Sequence, residues 1–261
     1  MTTLTVLIEN TKPDGSPLIA EHGLSFFIQT ERTKFVFDCG HTGAACDNAK
    51  ILGVDLSEIK IAVLSHSHYD HAGGFPKFLD FAPIETVFTG KNFWEEKFSN
   101  ENYRGCGFDK KFLAEKNIAQ KICHDVIKID ETAYLVGNFK RRYDFETISD
   151  KFLRGTNKIP DNFDDEIVLV LREGNGLAIV TACAHSGILN IVADVHERFS
   201  LPIYSVIGGF HLINANFERI SQTFDELNSF SVKKILPCHC SGENFIKSCG
   251  EKILTGSVIK I

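Results

Sequence analysis

The run Lys60-Ile61-Ala62-Val63-Leu64-Ser65-His66-Ser67-His68-Tyr69-Asp70-His71-Ala72-Gly73-Gly74 sets three imidazoles and a carboxylate directly after a short apolar stretch. Apolar, β-branched stretches of this length read as buried strands. A strand that runs into a His/Asp cluster and then a glycine pair puts metal ligands at the carboxyl end of a sheet, where loops are free to serve function. In extended backbone, side chains at i and i+2 share a face, so His66 and His68 are expected to grip one ion from one side. Asp70 is expected to cap a following helix, with His71 in its first turn. Those two then face elsewhere and can serve a second ion.

The chain has 261 residues, enough for one domain with a full core. A net charge of −6 argues against a nucleic-acid surface, which needs a basic face. The longest basic run, Lys140-Arg141-Arg142, reads as a solvated loop or a local anion contact. No apolar run approaches a membrane span. The start, Met1-Thr2-Thr3-Leu4-Thr5-Val6-Leu7-Ile8, reads as a first strand and not as a leader. Eight scattered cysteines without a Cys-x-x-Cys pair read as reduced thiols in a cytoplasmic protein, mostly small buried apolar groups. Cys183, Cys238 and Cys240 stand near candidate site residues, but imidazoles already fill the expected ligand positions.

Strands are expected at 3–8, 25–29, 34–38, 61–65, 86–89, 167–172, 176–181, 203–207 and 234–237. Helices are expected at 43–52, 74–81, 109–116, 188–199, 217–229 and 242–249. Alternating strands and helices indicate an α/β protein. No repeat or linker divides it, so residues 1–261 read as a single domain. Residues from about 90 to 160 are weakly periodic and begin with Phe93, Trp94, Phe98, Tyr103, Phe108 and Phe112. This segment reads either as a hydrophobic cluster under a long connection or as a lid insert over the site.

Three later histidines repeat the logic of the first motif. His185 follows Leu177-Ala178-Ile179-Val180-Thr181, His211 follows Val206-Ile207-Gly208-Gly209-Phe210, and His239 follows Ile235-Leu236-Pro237-Cys238. Each imidazole arrives at a strand end beside small residues, and their convergence with 66–71 makes one composite site.

Asp38 in Phe35-Val36-Phe37-Asp38-Cys39-Gly40, His66-x-His68-x-Asp70-His71, His185 and His239 together resemble the ordered motifs of the metallo-β-lactamase fold superfamily. The resemblance implies a four-layer αββα sandwich of two mixed β-sheets flanked by helices. Glu9-Asn10, Glu21-His22-Gly23-Leu24-Ser25, Asn48-Ala49, Gly208-Gly209-Phe210-His211-Leu212 and His239-Cys240-Ser241-Gly242 are similar to a narrower subgroup. That subgroup holds dihydropterin ribofuranosylaminobenzene phosphate synthases and metal-dependent hydrolases of the β-lactamase superfamily. Carried over by residue, His66, His68 and His185 would hold one metal, and Asp70, His71 and His239 a second. Asp38 would brace the motif loop. Where many members place a bridging Asp, this chain offers His211, which would ligate a metal or face substrate. Asp194, the nearest carboxylate, is expected on the surface.

The implied cofactor is a pair of zinc ions, with manganese or iron as alternatives. The implied reaction is hydrolysis of a small phosphorylated or ester substrate by a metal-activated hydroxide. Asp70 would orient the nucleophile, and His22 or His211 would protonate the leaving group. Two further readings remain open: a pterin-linked synthase in which the 93–112 aromatics stack the pterin, and a di-iron redox protein. The expected partner is a small molecule, with neither nucleic acid nor membrane. His41, His124 and His196 read as structural or surface residues, and Glu21 and Tyr69 as support or pocket wall.

Overall fold

Apolar residues at consecutive positions of the strands, which point alternately to opposite faces, decide how this chain layers. In the computed structural model, which describes residues 1–249 and 251–261, two large mixed sheets carry most of the core. The first has seven strands in the order Val258–Lys260, Thr3–Ile8, Ser25–Gln29, Lys34–Phe37, Ile61–Val63, Thr86–Thr89 and Ala119–Ile122. The second has six in the order Lys234–Pro237, Ile203–Gly208, Gly176–Thr181, Ile167–Glu173, Ala133–Gly137 and Val126–Lys128. Leu4, Val6, Phe26, Ile28, Phe35 and Phe37 of the first sheet share one buried cluster with Leu135, Leu169, Leu171, Val180 and Ile207 of the second. The alternate residues point the other way. Leu7, Phe27, Val36 and Ala62 pack with Ala45 and Ala49 of the helix Ala44–Ile51. Val168, Val170, Ile179 and Val206 pack with the helices Ile188–Phe199 and Phe217–Ser229. Burial on both faces is why these strands read as continuous apolar runs.

The parallel portions position the site. Lys34–Phe37, Ile61–Val63 and Thr86–Thr89 pair in parallel, as do Gly176–Thr181, Ile203–Gly208 and Lys234–Pro237. Their carboxyl ends therefore release the histidine loops at a common edge. Gly208, at φ +118°, allows the close approach: a Cβ there would stand 1.9 Å from the Thr181 carbonyl oxygen. A Cβ on Gly209 would lie 2.7 Å from Cys240 Sγ.

All nine expected strands and six expected helices form, with small shifts at their ends. The strand before the first motif stops at Val63 instead of Ser65, because Ser65 turns its N–H to the Asp38 carboxylate. The helix expected over 74–81 is regular only at Phe75–Phe78. Asp70 is not the cap expected of it: His68 takes the N-cap position and Asp70 lies inside the turn Tyr69–Ala72. The weak periodicity of 90–160 hid a small third sheet, Ile159–Pro160, Phe152–Arg154, Lys97–Ser99 and Asn102–Tyr103, besides strands added to both large sheets. One charge assignment also fails. Asp194 is fully buried, paired with Arg142 and Arg198, so it is a structural anchor and not a surface group. The basic run 140–142 is an exposed loop making local anion contacts, Lys140 with Glu197 and Arg142 with Asp194 and Glu197, as expected, and Arg141 adds hydrogen bonds to the Ser186 and Asn162 carbonyls. No helix among the described residues is long and apolar enough to cross a membrane.

Candidate metal centre

Asp38 fixes the first loop. Its Oδ1 accepts the Ser65 N–H and its Oδ2 the Ser65 hydroxyl, both at 2.7 Å. Oδ2 also accepts His71 Nδ1–H at 2.8 Å, which commits His71 Nε2 to the lone-pair role. All of these groups are buried. Asp38 thus braces the motif as expected.

Three imidazoles meet beyond that loop. The ligand atoms of His66, His68 and His185 lie within 4.8 Å of one another. Each Nε2 is buried and lacks a hydrogen-bond partner. Burial lowers the pKa of His66 and His185 well below the ordinary histidine value, the neighbouring imidazoles adding to it. Burial brings His68 to about 3. Neutral rings with three convergent, unpartnered lone pairs are costly unless a cation satisfies them. The residues present therefore fit a metal ion here.

A second group adjoins the first. His71 Nε2 and His239 Nε2 stand 3.1 Å apart, and Asp70 Oδ2 lies 3.6 Å and 3.4 Å from them. His239 Nδ1 donates to Asn10 Oδ1 at 3.0 Å, and Asn10 Nδ2 donates to the His239 carbonyl, which fixes the amide orientation. With both Nδ1 atoms engaged, two lone pairs and a carboxylate oxygen face one another, so a proton or a cation must lie between them. Burial would lower the His71 pKa, but Asp70 and Asp38 outweigh it and the net direction is up. Burial likewise opposes ionisation of Asp70, yet His71, His22 and His239 hold its carboxyl well below the usual range.

His22 Nε2 lies 3.2 Å from Asp70 Oδ2, and its ring stacks on His239 at 5.0 Å. His211 meets His185 at 4.3 Å between ring centroids and shares a ligand cluster with His185 and Cys183. It holds φ +51°, as Ala184 holds +56° and His239 +51°, all left-handed positions at strand exits that turn ligands inward. Every sequence-derived candidate, His22, His66, His68, Asp70, His71, His185, His211 and His239, thus borders one site. His41 packs edge-on against Tyr69 at 4.7 Å, and His196 Nδ1 pairs with the Leu201 carbonyl, away from it. Glu21 accepts from the His41 and Thr42 amides and so braces a loop.

Several supporting roles escaped the sequence reading, which quoted Glu9 only as part of a motif. Glu9 accepts the His239 amide at 2.8 Å, and Glu166 accepts those of His185 and Ser186 at 2.7 and 2.6 Å. Asp165 accepts both the N–H and the hydroxyl of Ser67 and is itself held by buried Lys97 at 2.7 Å. Phe163 stacks on His185 at 3.8 Å. The run Asp164-Asp165-Glu166 directly before the apolar, buried stretch 167–171 was the available signal, since acids buried there must be paired. The aromatics of 93–112 do not line the site as the pterin reading supposed. Phe93, Trp94, Phe108 and Phe112 pack into the outer core of the first sheet. Tyr69 and Phe152 instead line the cavity of about 230 Å³ over the site, with His22, His211, Arg104 and Lys151.

A 7,8-dihydropterin-6-methyl-4-(β-D-ribofuranosyl)-aminobenzene-5'-phosphate synthase from Methanocaldococcus jannaschii is 31% identical to this chain, covering 97% of it and 95% of the synthase. The family model of the metallo-β-lactamase superfamily matches residues 18–87. The chain belongs to the metallo-β-lactamase superfamily. Among solved members, Tm1679, a metal-dependent hydrolase of the β-lactamase superfamily, superposes with TM-score 0.86 at 29% identity, covering 100% of this chain and 99% of that one. The short form of human tRNase Z shares the fold at TM-score 0.58 and 13% identity, covering 99% of both chains.

The metal-free protein should lose stability in acid. An unfolded histidine takes up a proton near 6.5, whereas folded His68 does so only near 3. Between these values the unfolded state binds more protons, so stability is full above pH 6.5 and falls as the pH drops toward 3. The slope reaches about 1.4 kcal/mol per pH unit for each such imidazole. Urea midpoints of chelated protein at pH 7 and pH 5 check this; equal midpoints contradict it.

Proposed function

We propose that this protein is a metal-dependent hydrolase of a small phosphorylated substrate, built on a four-layer αββα sandwich. The observation that carries the reading is the pairing of a fitted ligand set with two unmatched cations at the cavity wall. Arg104 lies over the Tyr69 ring at 5.5 Å and Lys151 over Phe152 at 4.9 Å. Both line the cavity, and neither has a carboxylate partner among the described residues. A substrate phosphate supplies that missing charge. His66, His68 and His185 would hold one ion, and Asp70, His71 and His239 the other, with zinc suited to so many imidazoles. The ions would supply Lewis acidity and acidify bound water.

The chain's own groups complete the chemistry. Asp70, kept ionised, accepts a hydrogen bond from the attacking water and so orients it. His22, partly exposed at the mouth and 3.2 Å from Asp70, is placed to hand a proton to the leaving oxygen. Tyr69 and Phe152 give the apolar part of the substrate a surface and narrow the space open to water. In the variants Arg104→Ala and Lys151→Ala, inorganic phosphate should inhibit about 10-fold less strongly, the loss of one charge-assisted hydrogen bond. Metal content by plasma mass spectrometry should not change. Undiminished phosphate inhibition in both variants contradicts the reading.

The relative that is 31% identical across nearly the whole chain supports a second reading, a synthase joining a pterin to an aminobenzene ribofuranosyl phosphate. The same phosphate contacts would serve it. Incubation with an aryl phosphate alone separates the two, since only the hydrolase releases inorganic phosphate without a pterin co-substrate.

A further inference from the structure

One buried side chain belongs to both halves of the centre. The Cys183 sulfur clusters within 4.8 Å of His66 and His71, of His185 and His211, and of His239 and Cys240. Its distance to His71 Nε2 is 3.1 Å. It therefore lies among ligand groups of the first ion and of the second, His66 and His185 on one side and His71 and His239 on the other. Strand Ile203–Gly208 leads into Gly209, Phe210 and His211, so its exit brings no carboxylate to the place between the two ligand sets. His211 stands with His185 and does not fill that place.

From this we infer that Cys183 serves, as a thiolate, as the shared ligand of the two metal positions. The inference rests on the two-metal reading above. Three features support it. Cys183 lies on the backbone between Thr181 and the left-handed Ala184, the turn that also delivers His185. Its side chain is almost fully buried at the floor of the cavity, where the ligand groups converge. Sulfur binds borderline and soft divalent ions such as zinc and cobalt strongly. Cys240, by contrast, has its sulfur engaged by the His211 amide at 3.3 Å and serves as a neighbour that supports the loop. On binding, each Cys183 thiol releases its proton to solvent and the sulfur lone pairs go to the ions; no redox change occurs.

Cobalt is the probe, because a thiolate ligand adds a sulfur-to-cobalt charge-transfer band in the near ultraviolet. The full-length protein, stripped and reloaded with cobalt, should bind two equivalents and show that band. Cys183→Ser should lose the band and hold the second equivalent at least tenfold more weakly. Cys183→Asp should regain two equivalents without the band, and Cys240→Ala should keep it. Two bound equivalents with no band in the unmodified protein overturn the thiolate assignment while sparing the metal centre. So does a band that survives Cys183→Ser or disappears in Cys240→Ala. Failure to bind cobalt at all overturns both. Because the unmodified protein gives the first readout, a variant that fails to fold does not protect the inference.

Discussion

Replacing His66 and His68 together with alanine should abolish the first metal equivalent and lower hydrolysis of an aryl phosphate by at least about 10³-fold. Loss of partners outside the ligand shell typically costs 10–100-fold, and ligands themselves should cost more. The structural ground is the convergence of three buried, unpartnered Nε2 atoms. Metal added to the unmodified protein should raise its unfolding midpoint, by about 2.7 kcal/mol of stabilisation at a concentration 100 times Kd. The double variant should show a far smaller rise. Its metal-free stability is the informative control. Large-to-small core changes cost about 2–5 kcal/mol, but here two orphaned nitrogens disappear as well, which returns part of that loss. A metal-free variant nearly as stable as the metal-free parent, yet blind to metal, identifies ligand loss and not collapse. Full activity with undiminished metal content would refute the site.

The second large effect lies outside the ligand set. Lys97 is buried and donates to Asp161 at 2.8 Å and Asp165 at 2.7 Å. Burial would lower its pKa, but the two carboxylates outweigh it and hold the ammonium charged. Lys97→Met should destabilise the protein by about 3–5 kcal/mol, because it strands two buried carboxylates without a cation. The loss should reach the centre. Asp165 also grips Ser67 between His66 and His68, and the ammonium lies 5.0 Å over Phe163, the ring stacked on His185. Metal affinity should therefore fall in a variant altered on the small third sheet, not at the site. Urea denaturation and a metal titration read the two effects. Combining Lys97→Met with Asp161→Asn should recover part of the stability by removing one stranded charge. A Lys97→Met protein with the parent's urea midpoint would show that the buried triad contributes nothing.

What could be read from the sequence follows from the range of each signal. Strands such as Gly176–Thr181 and Ile167–Glu173 were legible because burial on both faces leaves an unbroken apolar run. The imidazoles were legible because their residue type is rare and each stands at the end of such a run. Asp38 was recognised by the motif it sits in. The supporting acids were not, since Glu9 meets the His239 amide across 230 positions and Asp165 meets Ser67 across 98. No local pattern encodes those pairings. Asp194 was misplaced for the same reason: mid-helix acids are usually solvated, and its two arginine partners come from a loop and from the next turn. The small third sheet, with Lys97–Ser99 and Phe152–Arg154 drawn from either end of the segment, pairs across more than 50 residues and leaves no short-range period.

The ligands come from loops of both large sheets: His66, His68, Asp70 and His71 leave the first, and His185, His211 and His239 leave the second. A cation at this edge is consequently a cross-link between the two halves of the chain, closing loops of more than one hundred residues. It shrinks the unfolded ensemble of any state that keeps the ion, much as a long-loop disulfide does. Metal removal should therefore speed amide hydrogen exchange in the strands that lead into both sets of loops at once, and not only in the loops themselves. Occupancy of this centre should thus set how readily a protease opens the whole fold.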